Sequence, residues 1–212
     1  MISRPWLIRL ERGLLLVGLV LIGLWLKNTL DARRFQEAQS RRFDAARREA
    51  DLVGPPAPAP ATGPGPRSPV TPGRGVIGRL EIPRLGISAM VVEGTDARSL
   101  ARAVGHIRST ALPGRPGNVG LAGPRDTFLR GLGRVRARDV VRIVTLRGTI
   151  TYQVEWGEVV EPGRVDVLDS TATRAVTLVT CYPFHAVGPA PERFVVRARQ
   201  VDPAVAAASA GP

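Results

Sequence analysis

From residue 76 onward the sequence breaks into short apolar, β-branched runs punctuated by Gly and Pro, and this texture constrains the fold more than any other feature. The runs cover residues 76–82, 87–93, 118–122, 140–146, 149–160, 175–180 and 193–199. With 23 Gly and 19 Pro in 212 residues, helix cannot dominate. Arg147-Gly148 joins two of the runs and reads as a tight hairpin. Residues 94–103 read as one short helix, with Thr95 or Asp96 as its cap. The expectation is a mainly β domain over 76–201, a closed barrel of seven or eight strands with one or two short helices.

What precedes the barrel is of another kind. After a short N-terminal segment, 1–12, the stretch from Gly13 to Leu26 is uncharged and apolar on every side. It is short for a bilayer span, which takes about 20 residues, but no small-residue cleavage site follows it. Arg9, Arg12 and Lys27 can snorkel and Trp25 suits the far interface, so 13–30 is expected to be an uncleaved transmembrane anchor in contact with membrane lipid. Basic residues flank the span on both sides, and charge bias does not orient it. Residues 31–53 read as a juxtamembrane helical segment in which Phe35 and Phe43 are too sparse for a strong apolar stripe. Residues 54–75 are a Pro/Gly-rich linker, and 202–212 read as a disordered, frayed tail.

The formal charge of +12 raises the question of nucleic acid. The excess is spread over both halves, and the one crowded group, Arg130, Arg134, Arg136 and Arg138, has few aromatic residues for base stacking. No nucleic-acid partner is expected. A diffuse charge of this kind suits a solvated face or attraction to anionic lipid.

The chemistry centres on residues 175–181, a β-branched run ending on the only cysteine, Cys181, and on the run that opens at Arg193 after a Pro-rich loop. If these two strands pair antiparallel, Cys181 lies beside Arg193, a thiolate next to a cation. The guanidinium could then also stabilise the oxyanion of a tetrahedral intermediate. The plainer alternatives are a buried structural cysteine and a surface cation at a sheet edge.

Thr177-Leu-Val-Thr-Cys181-Tyr-Pro-Phe together with Glu192-Arg193-Phe-Val-Val resembles the signature of the sortases, particularly class D. Gly105-His106-Ile, the stretch from Thr110 to Gly123, and Arg125-Asp126-Thr-Phe128 resemble the middle of the same group. The resemblance implies an eight-stranded sortase barrel on the extracytoplasmic side of the cell membrane. It also implies a Cys181 nucleophile that attacks an LPXTG-type sorting signal of a protein substrate, forms a thioester and passes the acyl group to an amine. Arg193 would orient the substrate. No metal or organic cofactor follows, and no carboxylate cluster can be assigned to calcium.

One position departs from the pattern. Where the family reads Ala-Gly-His-Arg-Asp, this chain has Ala122-Gly123-Pro124-Arg125-Asp126, so Pro124 stands in place of the catalytic histidine. Proline has no titratable group. His106 and His185 are the two candidate substitutes as acid/base, His185 four residues beyond the nucleophile and His106 matching a separate Gly-His position of the family. Besides transpeptidase, the sequence therefore leaves open a pseudoenzyme that binds a sorting signal or partner without turnover, and an unrelated anchored β domain.

Overall fold

The computed structural model describes residues 4–53, 75–186 and 188–208; nearly all of the expected linker lies outside them. Eight strands form a closed barrel: β1 (Val76–Ile82), β2 (Ile87–Glu93), β3 (Val104–His106), β4 (Asn118–Ala122), β5 (Val140–Thr145), β6 (Gly148–Val160), β7 (Ala175–Tyr182) and β8 (Glu192–Gln200). Around the barrel the order is β1-β2-β3-β4-β7-β8-β6-β5, closed by β5 on β1. The β2/β3 and β4/β7 pairs are parallel and the others antiparallel. The strand that the apolar runs do not announce is β3, three residues long.

Strand alternation sorts the side chains into two sets. Leu80, Ile82, Val91, Val104, Leu121, Ile143, Tyr152, Leu178 and Val196 fill the interior, each about completely buried. Burying a side chain of this size contributes roughly 1.5–3 kcal/mol, so the interior accounts for most of the favourable energy. The outer face of β7 and β8 is apolar too, because a 3-10 turn, Val165–Leu168, covers it: Val167 packs on Val160 and Val195. That second layer explains why β7 reads as a continuous apolar run.

Two local expectations are corrected, and a third, the short helix within 94–103, is narrowed. The hairpin between β5 and β6 pairs Thr145 with Gly148, so its loop is Leu146-Arg147; Gly148, at φ 140°, is the first paired residue of β6. The short helix α2 (Ala97–Leu100) takes Asp96 as its cap, the carboxylate accepting from the Arg98 and Ser99 amides. The tail begins with a helix, α3 (Pro203–Ala208), started by Pro203 and by the Asp202 carboxylate accepting from the Ala204 amide, and Ala206 is buried.

Ahead of the barrel runs one unbroken helix, α1 (Arg4–Val53), about 75 Å long at the usual rise. Among the described residues it is long and apolar enough to cross a membrane, and its apolar residues from Leu14 to Leu26 are exposed. Its C-terminal half docks on the barrel through one face. Phe43 is buried against Met90 and Val144, with the Arg79 guanidinium 5.6 Å above its ring. Arg79 donates to Asp44 and Ser40, the Met90 amide donates to Gln36 Oε1 at 2.8 Å, and Arg47 donates to Thr149 Oγ1 at 3.1 Å. The stripe at 36, 40, 43, 44 and 47 has helical spacing but only one apolar member. Sparseness of apolar residues therefore did not prevent docking.

Burial in the barrel pushes the Tyr152 phenol up to about 12 from its ordinary 10.0. The folded state holds the neutral form, so this contribution is intact below pH 10 and is lost as pH rises toward 12, where the unfolded phenol is already ionised. Two pH units correspond to roughly 2–3 kcal/mol. Denaturant melts of the wild type from pH 9 to 11.5 should show this fall, and the Tyr152→Phe variant a shallower one; equal slopes would show that Tyr152 ionisation does not govern alkaline stability.

Candidate active site

Strand β7 is flanked by β4 on one side and β8 on the other, and the two registers define the site. In the antiparallel pair Cys181 lies directly opposite Arg193. Residues directly opposed in such a pair project to the same face. Val179 and Val195, two residues away on each strand, belong to the outer apolar cluster, so Cys181 and Arg193 sit on the outside of the barrel. Both are half-buried. The sulfur is thus neither sealed in the interior nor fully exposed.

On the other side Ala122 pairs with Val179, and the Gly123 amide continues the ladder by donating to Val179 O at 3.1 Å. Pro124 follows Gly123, beyond the last register pair of β4 with β7. Gly123 packs closely under Leu129, whose Cδ1 would lie 2.9 Å from a Cβ at this position. Cys181 and Arg193 therefore form one row across β7 and β8, with Pro124 two residues past the end of β4, the strand on the other side of β7.

The loop from β7 to β8 is held by two guanidiniums. Arg193 Nη1 donates to Ala190 O at 3.1 Å and Glu192 O at 2.9 Å. From the β4 side, Arg125 Nη2 donates to Ala186 O and Gly188 O, each at 2.9 Å, while its Nη1 is buried with no hydrogen-bond partner among the described residues. Sequence reasoning quoted Arg125 as part of a motif but gave it no role. Its signal is the position next to Pro124; its partners lie some sixty residues away and cannot be read from the chain.

Below the site the floor is fixed by polar ties. Thr177 Oγ1 donates to Asn118 Oδ1 at 2.8 Å, and Asn118 Nδ2 donates to Val167 O and Asp169 O, each at 3.3 Å. Arg197 Nη2 donates to Val167 O at 2.6 Å, its guanidinium 5.6 Å from the Trp156 ring. These bonds lay the Val165–Leu168 turn on the outer face, where its side chains make an apolar wall leading to the sulfur.

Neither histidine joins the row. His106 is buried on the face of β3 that carries core residue Val104, and its partner Leu121 pairs in turn with Leu178, three residues short of Cys181. Its Nδ1 faces the Glu93 carboxylate at 3.1 Å and its Nε2 faces Ala111 O at 3.0 Å. The ring is inside the barrel, both nitrogens already face oxygen partners, Thr110 Oγ1 among them, and no hydrogen bond links it to Cys181 among the described residues. His185 is exposed and lines an open groove beyond Tyr182, with no hydrogen bond to Cys181 among the described residues. Among the described residues there is also no group of three or more His, Cys, Asp or Glu that could hold a metal.

The fold and sequence can be set beside known proteins. A family model described as the sortase domain matches residues 80–201. Sortase D of Bacillus subtilis is 34% identical over 125 residues, covering 58% of this chain and 63% of its own. Sortase A of Listeria monocytogenes is 27% identical over 110 residues, 50% of this chain and 49% of its own. The chain thus spans less than two thirds of the length of either curated relative. Among solved structures, sortase C-1 of Actinomyces oris superposes with a TM-score of 0.56 at 32% identity, covering 60% of this chain and 74% of that one. A Clostridium perfringens sortase D5 transpeptidase, at 21% identity and TM-score 0.59, covers 80% of this chain and 98% of that one and shares the fold.

The Arg125 ties generate a prediction. In Arg125→Ala, hydrogen exchange of the loop from Pro183 to Pro191 should speed up at least several-fold while the β7 core amides stay protected, and Cys181 should alkylate at a changed rate. Unaltered loop exchange would show that the two carbonyl bonds do not hold the loop.

Proposed function

The chain belongs to the sortase family, whose members are cysteine transpeptidases, and we propose that it is a single-pass membrane protein with its barrel on the extracytoplasmic side, acting on an LPXTG-type sorting signal. The observation that carries the reading is the register pairing Cys181 with Arg193 on the outer face, at the end of an apolar wall. A Clostridium perfringens sortase C with which the barrel superposes was solved with a C-terminal cell wall sorting motif; that structure is 29% identical, with a TM-score of 0.56. This supports a sorting-signal substrate here.

In this reading the Cys181 thiolate attacks the carbonyl carbon of the Thr–Gly bond. A C–S bond forms, the C–N bond breaks, and the amine leaves with a proton. Arg193 donates to the carbonyl oxygen as it becomes an oxyanion. The leaving amine needs an acid, and Pro124 provides none, so the proton comes from water. An amine acceptor then displaces sulfur from the thioester. Arg125 acts as a positioning residue that holds the loop following the nucleophile.

A second reading rests on a specific observation, the titratable group missing from the Pro124 position: a pseudosortase that binds the signal and does not turn it over. The full chain in detergent micelles, incubated with a labelled LPXTG-type peptide, separates the two. A peptide adduct on Cys181 in the mass spectrum, absent in Cys181→Ala, supports catalysis; binding without adduct or cleavage supports the pseudoenzyme.

Restoring the histidine gives a sharper test. Pro124→His should raise the rate of peptide cleavage by about 10²-fold or more, since loss of a general acid/base costs roughly 10²–10⁴-fold. Arg193→Ala should lower the rate of adduct formation by about 10²-fold, the usual scale for an oxyanion donor. No gain from Pro124→His in a correctly folded variant would mean that proton transfer does not limit this enzyme.

A further inference from the structure

The long helix meets the barrel first at the corner between α2 and β3. Gln36 is the earliest residue of α1 to hydrogen-bond with the barrel among the described residues, donating from Nε2 to Arg102 O at 2.6 Å and accepting from the Met90 amide. The later contacts fall on Arg79 and then on Thr149, farther along the helix. Of the barrel elements that α1 touches, this corner is therefore the nearest to the apolar stretch Leu14–Leu26. A recess of about 230 Å³ opens here, between Phe35 of α1 and Arg98, Arg102 and Arg108 of the barrel, with Glu93 and Asp96 also in its wall.

Both carboxylates are already engaged. Glu93 faces His106 Nδ1 at 3.1 Å and Arg108 Nε at 3.7 Å. Asp96 accepts from the Ser99 hydroxyl at 2.7 Å and from the Ser99 and Arg98 amides, and these bonds hold it below the usual carboxylate range. Arg98 and Arg102 are exposed, and neither has a carboxylate partner among the described residues. Arg33 joins them: three residues before Gln36, it lies on the same face of α1, one turn nearer the apolar stretch, and is also exposed and unpaired among the described residues. On the rest of this part of the helix Lys27 and Arg34 are matched in number by Asp31 and Glu37, so the cationic excess is concentrated at the recess.

Position decides which anion comes within reach. Arg33 follows Leu26 by seven residues, about 10 Å of helical rise. The headgroup layer takes up roughly 5–7 Å of that distance. With the apolar stretch in a bilayer, Arg33 stands at the outer edge of the headgroups and the Arg102 corner one helical turn higher, inside a Debye length of about 8–10 Å. The forked donors of a guanidinium match a phosphate, and Phe35 offers an apolar contact to the glycerol carbons beside it. We propose that this recess binds the phosphate of an anionic phospholipid headgroup, of the phosphatidylglycerol kind, through Arg33, Arg98 and Arg102, and so seats the α2 corner of the barrel on the membrane. This inference rests on the reading of α1 as a membrane span.

The test places the full chain in vesicles of phosphatidylcholine, with and without phosphatidylglycerol, and follows hydrogen exchange at residues 97–103. Phosphatidylglycerol should slow exchange there at least several-fold and leave the β7 amides unchanged. The slowing should weaken at high salt and disappear in the double variant Arg98→Gln with Arg102→Gln, whose other barrel amides should exchange as in the wild type because both side chains are exposed and unpaired. Flotation with the vesicles reports the anchor separately. A chain that floats with both lipids and exchanges equally in both, or a double variant that keeps the full slowing, overturns the headgroup site while the membrane reading stands. A chain that does not float overturns both. Inorganic phosphate added to phosphatidylcholine vesicles is the last arm: slowing equal to that caused by phosphatidylglycerol would reveal a site for free phosphate and overturn the lipid assignment.

Discussion

The site depends on one strand having two unlike neighbours. β7 runs parallel to β4 and antiparallel to β8, and backbone hydrogen bonds alone fix both registers. The places on either side of Cys181 are therefore set without reference to what the side chains are. The core beneath, from Val176 and Leu178 to Val196, is unaffected by chemistry on the outer face because successive side chains point to opposite sides.

In the proposed reading, the chain keeps the cation opposite Cys181 and has no titratable side chain at the Pro124 position. Arg193 and Arg125 are both tied to carbonyls around the loop that follows Cys181. Guanidiniums held in this way can donate hydrogen bonds to a developing oxyanion. His106, the one buried imidazole, instead cross-links β2, β3 and the segment at Ala111 through Glu93 and a backbone carbonyl.

Much of this was legible in the sequence, and what was not has identifiable causes. The barrel shows in the spacing of β-branched runs, and the Cys181–Arg193 pair follows from two runs and a loop of the right length. β3 escaped because three residues are too few to show alternation, and the Asp202-Pro203 helix start was present but outweighed by a small, Ala-rich tail. The docking face of α1 escaped for a different reason. Apart from Phe43 it is built from Gln36, Ser40, Asp44 and Arg47, which look like any solvated helix until their partners on the barrel are known.

The unbroken helix has a mechanical corollary. Were its Leu14–Leu26 portion seated in a bilayer, the docked face at Gln36 would begin about 15 Å beyond it, a distance dictated by helical rise. The barrel would then ride on a mast and not on a leash. Height above the lipid surface would be a built-in dimension of the molecule, and inserting or deleting turns of helix, not residues of spacer, would be the way to change which targets come within range.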